Sequence, residues 1–458
     1  MPARAHGCIP SPSQTRSRTP AWTSWTWGSS TCRGGPASRN SRTWSAACLA
    51  GHLSRLLARG YPRRTRTTSA RRMSPQCVAR WSAVHSSNMA AGGPARSDNC
   101  LPTTSTFLAA SRHIGTASAC KGEEMRILVT GATGFLGHYL VTALLERGHS
   151  VRALALPIED TTWLRERGVS IYPGDLRDPD TLIEPMRGVE GVFHLAAMTR
   201  VWRPMQEYYD VNVTGTENVC RAALAAGVQR LVHVSSGVVY GLGIGKPARE
   251  DLPLAPIYEP YSVTKAESDR LVQQMIAEDD LPAVIIRPGT VFGPGDSLNF
   301  GRIADRLRAG KGLIVGSGNN ALTFVYVTDV IQGLLLAFDR EQAVGNAYNI
   351  ANDRPLTQEQ TLRAIAEEVG AQPPSLHVPY YALYAVAFAS ERVATLTGGR
   401  IQPLATRQGV KLYGTDNRLS IDKARHELGY APRVPVREGL RLTGEWYQQQ
   451  PVAVALAS

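Results

Sequence analysis

The stretch Met125-Arg-Ile-Leu-Val-Thr-Gly-Ala-Thr-Gly-Phe-Leu-Gly137 decides the fold of this chain. Its apolar, β-branched run Ile127–Thr130 predicts a strand, which leads directly into glycines 131, 134 and 137 and then into a helical pattern. A strand, a tight glycine turn and a helix N-terminus together bind a dinucleotide pyrophosphate on exposed backbone N–H groups. The glycines allow positive φ angles and a close approach of the backbone to the phosphates.

The 124 residues before this motif have a different composition. They hold 16 Arg and one Lys against three acids, six of the seven Cys and five of the eight Trp, and no periodic apolar pattern. The rest of the chain has a net charge of −2, so the whole-chain charge of +12 comes from this leader and does not indicate a nucleic-acid partner for the remainder. Without CxxC spacing, the leader's Cys residues predict neither zinc nor disulfides.

We expect residues 1–124 to be upstream sequence translated from a start codon set too early. The stretch Lys121-Gly-Glu-Glu124 supports this interpretation, because its codons are purine-rich like a ribosome-binding site and Met125 follows directly. A disordered basic tail is the second interpretation. The Arg- and Ser-rich, acid-poor composition also matches a transit peptide, although the leader is very long for one.

Residues 125–458 alternate between apolar strands and helices. This alternation predicts an α/β fold of the Rossmann type, in which a doubly wound parallel sheet is covered on both faces, with a smaller C-terminal α/β substrate lobe. We assign residues 125–296 to the dinucleotide-binding domain and residues 297–458 to the substrate-binding lobe, interleaved with it. The later predicted strands are 151–156, 170–172, 191–197, 230–236 and 283–288, and predicted helices include 213–226 and 263–279.

Two features stand out in the C-terminal region. Thr357-Gln-Glu-Gln360 predicts a capping box that opens a helix ending at Gly370. The segment 380–389 is strongly apolar but too short to span a bilayer. We expect it to be a buried helix of the small lobe; the alternative is an apolar lid or interfacial helix through which a lipid-like alcohol enters.

Tyr261 and Lys265 lie four residues apart and therefore on one side of a predicted helix. A nearby ammonium favours the phenolate form of Tyr and brings its pKa toward neutral pH, where it can act as a base. Ser236 ends a predicted strand, where its hydroxyl can bind a substrate oxygen. A Tyr-x-x-x-Lys pair alone is weak evidence, but here the glycine turn, Gly-Asp-Leu, His-Leu-Ala-Ala and Val-Ser-Ser motifs precede it in order. By contrast, we expect His194, Tyr240 and Cys220 to be packing residues.

With these motifs, residues 125–458 resemble the extended short-chain dehydrogenase/reductase family. The segment Arg287-Pro-Gly-Thr-Val-Phe-Gly-Pro-Gly-Asp296 and the 414–430 tail look most like its 3β-hydroxysteroid and sterol dehydrogenase branch. The resemblance implies a catalytic set of Ser236, Tyr261, Lys265 and Asn212, the last supporting a proton relay. It also implies a cofactor site formed by Gly131, Thr133, Gly134, Phe135, Leu136, Gly137, Asp175, Leu176, Ala196, Ala197 and Pro288, together with Tyr261 and Lys265.

The expected cofactor is NAD, because the resemblance implies a family that commonly uses it, and NADP stays an alternative. The second strand ends in Ala155 and Leu156, so it has neither the acid that binds a ribose 2′-OH nor the Arg or Lys that binds a 2′-phosphate. Nucleotide-sugar enzymes of the family commonly carry an Arg before the Phe-x-Tyr-Val-x-Asp motif, and here that residue is Leu322. The absence of this phosphate ligand favours an apolar substrate.

We therefore predict an NAD(P)-dependent oxidoreductase that transfers a hydride at a secondary alcohol or ketone of a steroid-like or other apolar substrate. A nucleotide-sugar epimerase or dehydratase is one alternative, and a non-catalytic NAD(P)-sensing protein is the other. The expected partner is a small molecule, without nucleic acid, metal or membrane span; a homodimer and a peripheral membrane contact stay open. Because Cys220 is the only Cys after Met125, we expect a cytoplasmic protein, membrane-associated if segment 380–389 is interfacial.

Overall fold

Seven parallel strands form the central sheet of the computed structural model, which describes residues 124–199 and 202–450. In this sheet the first strand lies between the second and the fourth, so the winding direction reverses there. In chain order the strands are β1 (Arg126–Thr130), β2 (Ser150–Ala155), β3 (Ser170–Pro173), β4 (Gly191–His194), β5 (Arg230–Val234), β6 (Ala283–Pro288), β7 (Thr290–Phe292), β8 (Ile314–Val315), β9 (Phe324–Tyr326), β10 (Ala347–Ile350) and β11 (His377–Val378). The central sheet has the order β10-β6-β5-β4-β1-β2-β3, and β7 pairs with β9 and β8 with β11.

Helices connect these strands and cover both faces of the sheet. The α-helices of the described residues are α1 (Phe135–Glu146), α2 (Thr162–Glu166), α3 (Ile183–Met186), α4 (Met205–Tyr209), α5 (Gly215–Ala226), α6 (Pro260–Glu278), α7 (Arg302–Arg308), α8 (Val327–Asp339), α9 (Gln358–Glu368), α10 (Tyr380–Leu396), α11 (Arg407–Gly414) and α12 (Val436–Gln448). Short 3₁₀ turns and three π-helical turns, at Asp210–Thr214, Ser297–Gly301 and Ala424–Leu428, complete the helical structure.

Strand β1 explains why the central strands appear in the sequence as continuous apolar runs. Ile127 and Val129 belong to a buried cluster with Leu140 of α1, whereas Leu128 points to the opposite face and belongs to a cluster with Val219 of α5. Successive strand residues face opposite sides, so a strand buried on both faces must be apolar at every position. The predicted doubly wound parallel sheet is confirmed.

The predicted elements agree with the structure except near their ends. Strands β4 and β5 stop at His194 and Val234, earlier than predicted, because the chain leaves the sheet there. The predicted helix 213–226 starts eight residues earlier, at Met205, and passes through the π-helical turn Asp210–Thr214. The predicted capping box of α9 is present, with Thr357 N donating to Gln360 Oε1 at 3.0 Å and Gln360 N donating to Thr357 Oγ1 at 3.2 Å.

Helix α10 contradicts the prediction that segment 380–389 is a buried helix. Only Ala387, Glu391 and Ala394 of this 17-residue helix are buried, and Tyr381 is 84% exposed. The prediction was wrong because an apolar segment needs a partner element to cover it, and α10 packs through one side only, where Tyr380, Leu383 and Tyr384 are partly buried beside Ala387. None of the helices in the described ranges combines the length and hydropathy needed to cross a membrane.

The leader predicted at residues 1–124 lies outside the described residues except for Glu124, whose carboxylate accepts a hydrogen bond from Ser150 Oγ at 2.6 Å.

Strand β10 comes from the region assigned to the substrate lobe, yet it pairs with β6 in the central sheet. The boundary between residues 296 and 297 stays a prediction.

Candidate active site

A cavity of about 1500 Å³ lies at the carboxyl ends of β1, β4, β5 and β6. This is where open α/β sheets bind ligands, next to the reversal in strand order. The volume exceeds the roughly 300–1,000 Å³ of a site for one small ligand, so there is room for a cofactor and a substrate. The predicted site residues that line it are Gly131, Thr133, Gly134, Phe135, Leu136, Gly137, Asp175, Leu176, Ala196, Ala197, Ser236, Tyr261 and Pro288. The remaining two, Lys265 and Asn212, lie behind this lining.

The glycine turn fits a bound pyrophosphate. Gly131 has a φ of 73°, and a Cβ atom added there would lie 2.8 Å from the backbone N of Ala196. A Cβ atom on Gly137 would overlap the carbonyl oxygen of Gly131. Helix α1 begins after Gly134 without a side-chain cap, so the backbone N–H groups of its first turn face the cavity with no intrahelical acceptor.

Three buried side chains fix the ends of β1 and β4 behind this turn. His194 Nδ1 lies 2.8 Å from Thr130 Oγ1, and His194 Nε2 lies 3.0 Å from Thr216 Oγ1. Burial lowers the pKa of His194 to about 3, with a further contribution from the charge of Lys265. His194 is therefore a neutral packing residue, as the sequence predicted.

Helix α6 carries the predicted catalytic pair. Pro260 opens the helix, so Tyr261 lies in its first turn and faces the cavity. Lys265 follows one turn later, is buried, and donates from Nζ to the carbonyl oxygen of Val234 at 2.7 Å. Burial lowers the pKa of Lys265 to about 8, although the nearby Asp269 opposes this shift.

Ser235 and Ser236 have opposite roles because they follow β5 on alternate sides. Ser236 lines the cavity and its Oγ accepts from Val238 N at 3.4 Å. Ser235 also borders the cavity, but it is buried and its Oγ donates to Asp269 Oδ2 at 2.6 Å. Asp269 also forms a fully buried ion pair with Arg287 of β6, with Nη2 and Oδ1 2.8 Å apart.

Tyr240 belongs to the same buried network. Its hydroxyl receives a hydrogen bond from Arg287 Nη1 at 2.8 Å and donates to Asn349 Oδ1 at 2.8 Å. The network thus joins α6 to β6 and β10 behind the cavity. Tyr240 is a packing residue, as predicted, but with a fully used hydroxyl.

Asn212 lies in the π-helical turn between α4 and α5, where its amide faces the catalytic helix. Its Oδ1 accepts from Met198 N at 2.7 Å, and its Nδ2 donates to Met198 O at 3.1 Å and to Thr264 Oγ1 at 3.0 Å. The amide therefore ties the loop after β4 to α6. π-Helical turns recur at functional sites because they displace a side chain from its regular position.

Asp175 faces the cavity as an ion-paired residue. Arg177 Nε donates to its Oδ1 at 3.0 Å, and this hydrogen bond is the main reason that the pKa of Asp175 is lowered. The neighbouring Leu176 is buried. An adenine amino group would have to share the Asp175 carboxylate with Arg177.

Sequence reasoning missed several charged residues that line the cavity. Glu159 follows β2 by four residues, and the turn returns its carboxylate to the strand end, where Oε2 accepts from Leu156 N at 2.8 Å. Glu259 caps α6 and accepts from Ser262 N at 3.1 Å. Arg302 and Arg306 lie one turn apart on α7, and no residue in the described ranges forms an ion pair or hydrogen bond with either guanidinium. Only the turn geometry could have revealed Glu159; the spacing of Arg302 and Arg306 was visible in the sequence.

Comparison with known proteins gives consistent results. The family model described as "NAD dependent epimerase/dehydratase family" matches residues 127–351. The chain is 34% identical to the 2-alkyl-3-oxoalkanoate reductase of Stenotrophomonas maltophilia, over 69% of this chain and 98% of that protein. It is 33% identical to the decarboxylating sterol-4-alpha-carboxylate 3-dehydrogenase of Mus musculus, over 69% of this chain and 89% of that protein.

Solved structures show the same likeness. The UDP-glucose 4-epimerase of Thermus thermophilus, crystallised as a complex with NAD, superposes with a TM-score of 0.56 at 27% identity, covering 71% of this chain and 99% of that one. The resemblance inferred from the sequence motifs, including that to the sterol dehydrogenase branch, is confirmed.

Proposed function

Because this chain belongs to the NAD dependent epimerase/dehydratase family, we propose that it is an NAD-dependent oxidoreductase acting on a secondary alcohol or ketone of an apolar substrate. The observation that carries this proposal is that one cavity is lined by the glycine turn of residues 131–137 and by Ser236 and Tyr261. A cofactor held at the first group and a substrate held at the second would lie side by side in the same cavity.

The proposed chemistry divides between cofactor and protein. NAD, held at the glycine turn of residues 131–137, would supply the hydride acceptor for the carbinol carbon, and NADH would supply the hydride for the ketone carbon. Tyr261 takes the proton of the substrate hydroxyl in the first direction and gives it back in the second. Ser236 donates a hydrogen bond to the same substrate oxygen. The ammonium group of Lys265, fixed on Val234 at 2.7 Å, favours the phenolate form of Tyr261.

Glu159 supports NAD as the cofactor in preference to NADP. Its carboxylate lies at the end of β2, where an acid can accept from a ribose 2′-OH and repels a 2′-phosphate. We expect wild type to bind NADH more tightly than NADPH, and Glu159→Gln to reduce this preference. The measured quantity is the dissociation constant for NADPH divided by that for NADH, each obtained by fluorescence titration. Asp160→Asn is the matched control, because Asp160 is a neighbouring acid whose carboxylate caps Thr162 N. An unchanged ratio in Glu159→Gln would remove this residue from cofactor selection.

The substrate part of the cavity supports an apolar ligand. Several large apolar side chains line it: Met198, Trp202, Leu242, Leu298 and Leu412. Leu322, at the position where nucleotide-sugar enzymes carry an Arg, is buried and does not reach the cavity. The names of two relatives describe substrates that combine a carboxylate with an alkyl chain or a sterol. A hydrophobic acid of this kind is the substrate class that we propose.

Arg302 and Arg306 favour a second candidate, a nucleotide-sugar epimerase or dehydratase. Two guanidinium groups without partners in the described residues could bind a diphosphate in place of the missing Arg at position 322. They could equally bind a substrate carboxylate. Calorimetric titration with a UDP-hexose, a 3β-hydroxysteroid and a long-chain 2-alkyl-3-hydroxy acid separates these cases. Micromolar binding of the UDP-hexose alone would favour the second candidate.

The oxidoreductase proposal is tested at Tyr261. We expect Tyr261→Phe to lower turnover by ~10²–10⁴-fold, measured as NADH absorbance, with NAD affinity retained. Lys265→Ala is expected to damage both turnover and cofactor binding. Tyr209→Phe is the control, because Tyr209 is 42% exposed on α4 and does not line the cavity. Equal, mild effects of all three changes would point to a non-catalytic NAD-sensing protein.

We propose a cytoplasmic setting as well, since Cys220 is a free, buried thiol. A homodimer is proposed with it and is tested by sedimentation velocity. A peripheral contact with a membrane is also proposed, and helix α10 is the element that supports it.

A further inference from the structure

Helix α10 presents mostly apolar side chains to solvent. Tyr381 and Leu396 are 84% and 87% exposed, and Val386, Phe388 and Val393 are each between 42% and 48% exposed. Together with the exposed alanines 382, 385 and 389 they form rows at three- and four-residue spacing on one side of the helix, and the exposed Arg392 lies in the same rows. Single exposed apolar residues are ordinary on a protein surface, but a contiguous stripe of this length indicates a contact surface.

Segments that are hydrogen-bonded to α10 carry further exposed apolar residues. Ile401 and Leu404 are 55% and 73% exposed, and Ser390 Oγ binds their segment to α10 by donating to Ala405 O at 2.7 Å. Tyr258 is 75% exposed and is joined to α10 through Arg407, whose Nη2 donates to Tyr258 O at 3.0 Å. We call the set Tyr258, Tyr381, Val386, Phe388, Val393, Leu396, Ile401 and Leu404 the apolar face.

The exposed Arg, Lys, Asp and Glu residues of the segment 372–406, which contains α10, have one sign. Between residues 372 and 406 the only acid is Glu391, which is buried and ion-paired with Arg407 at 2.5 Å. Arg392 and Arg400 of the same segment are exposed, and the guanidinium of Arg392 lies 4.8 Å from the ring centre of Phe388. An apolar surface that carries exposed cations complements an anionic bilayer, in which acyl chains lie beneath negative headgroups.

The sign of these charges argues against a second copy as the occupant. In a two-fold symmetric contact the same surface meets itself, so Arg392 and Arg400 would face their own counterparts. No exposed carboxylate of residues 372–406 is present to neutralise them.

The apolar face also borders the cavity. Gln402, Pro403 and Thr406 line the cavity and lie between or beside Ile401 and Leu404 in the chain. We propose that the apolar face docks peripherally on an anionic lipid surface and holds the mouth of the cavity against it. Docking does not depend on the proposed reaction, so it can be measured without turnover.

The test uses the full chain, with and without vesicles of phosphatidylcholine containing phosphatidylglycerol, followed by hydrogen exchange. Peptide-level exchange separates α10 from the Arg-rich residues 1–124, which could bind anionic vesicles by charge alone. We expect vesicles to slow amide exchange in peptides covering 381–406. We expect this effect to be lost in Phe388→Glu/Leu396→Glu and kept in Ile183→Glu, which changes an apolar residue that is 61% exposed on α3.

Further variants test the electrostatic part. Arg392→Gln and Arg400→Gln should each weaken the α10-dependent binding by about fivefold at low salt. Co-sedimentation without slower exchange in 381–406 would overturn the proposal, because binding would then occur elsewhere. Slower exchange that depends on protein concentration and not on vesicles would also overturn it, in favour of a second copy of the chain.

Discussion

Glu259 is expected to make the stability of the fold depend on pH, and Glu259→Gln should remove this dependence. Glu259 is buried at the start of α6, where its carboxylate accepts from Ser262 N. Burial raises the pKa of Glu259 from an ordinary value of 4.5 to about 7; the backbone N–H groups of Ser262 and Tyr261 oppose this effect, and Glu391 adds to it. The folded state therefore holds the proton more tightly than the unfolded chain does.

The sign of the effect follows from this difference. Below about pH 4.5 the carboxyl is neutral in both states, and its contribution to stability is fully present. As the pH rises from 4.5 to about 7, the unfolded chain loses the proton first, so the folded state becomes progressively less favoured. At about 1.4 kcal/mol per pH unit, the full loss is about 3 kcal/mol and is complete above pH 7. Glutamine is neutral throughout and can still accept from Ser262 N.

The assay is urea unfolding of wild type and Glu259→Gln at pH 4.5 and pH 8.5. We expect similar free energies of unfolding at pH 4.5 and a variant more stable by about 3 kcal/mol at pH 8.5. Glu278→Gln, at the exposed end of the same helix, is the control and should show no such difference. The reasoning fails if the Glu259→Gln variant and wild type differ by the same amount at both pH values.

Three further predictions concern the sheet and the leader. Asp269→Asn leaves the buried Arg287 guanidinium without its counter-charge and should lower the free energy of unfolding in urea by about 3–5 kcal/mol. Asp339→Asn breaks the exposed pair with Arg147 and should lower it by less than about 1 kcal/mol. Gly137→Ala should abolish NADH binding or lower the melting temperature, because its Cβ would overlap the carbonyl oxygen of Gly131. The effect of Gly134→Ala should be much milder, because its Cβ would lie 3.3 Å from that oxygen. Similar effects of the two substitutions would contradict the packing argument. A chain starting at Met125 should fold and bind NADH as well as the full chain, and a lower melting temperature of the folded region would show that residues 1–124 contribute to it.

The sequence predicted the sheet because its central strands are apolar at every position and its glycines have no alternative at Gly131 and Gly137. The order of its motifs also predicted Ser236 and Tyr261 at one site, and both line the same cavity, while their catalytic roles stay a prediction. The position of Glu159 was not predicted, because its carboxylate reaches the end of β2 through a turn, and strand register does not define that turn. The exposure of α10 escaped because composition shows that a helix is apolar, whereas its burial depends on whether another element covers it.

Helix α6 shows how the fold and the proposed chemistry depend on each other. Tyr261, Lys265 and Asp269 recur every four residues on one side of this helix and therefore form a single line. Tyr261 faces the cavity, and Lys265 donates a hydrogen bond to Val234 of β5. Asp269 forms the ion pair with Arg287 of β6. A buried ion pair adds little net stability over an apolar pair, but it is strongly directional. Its proposed value here is to fix the rotation of α6, so that Tyr261 and Ser236 face the same point in the cavity.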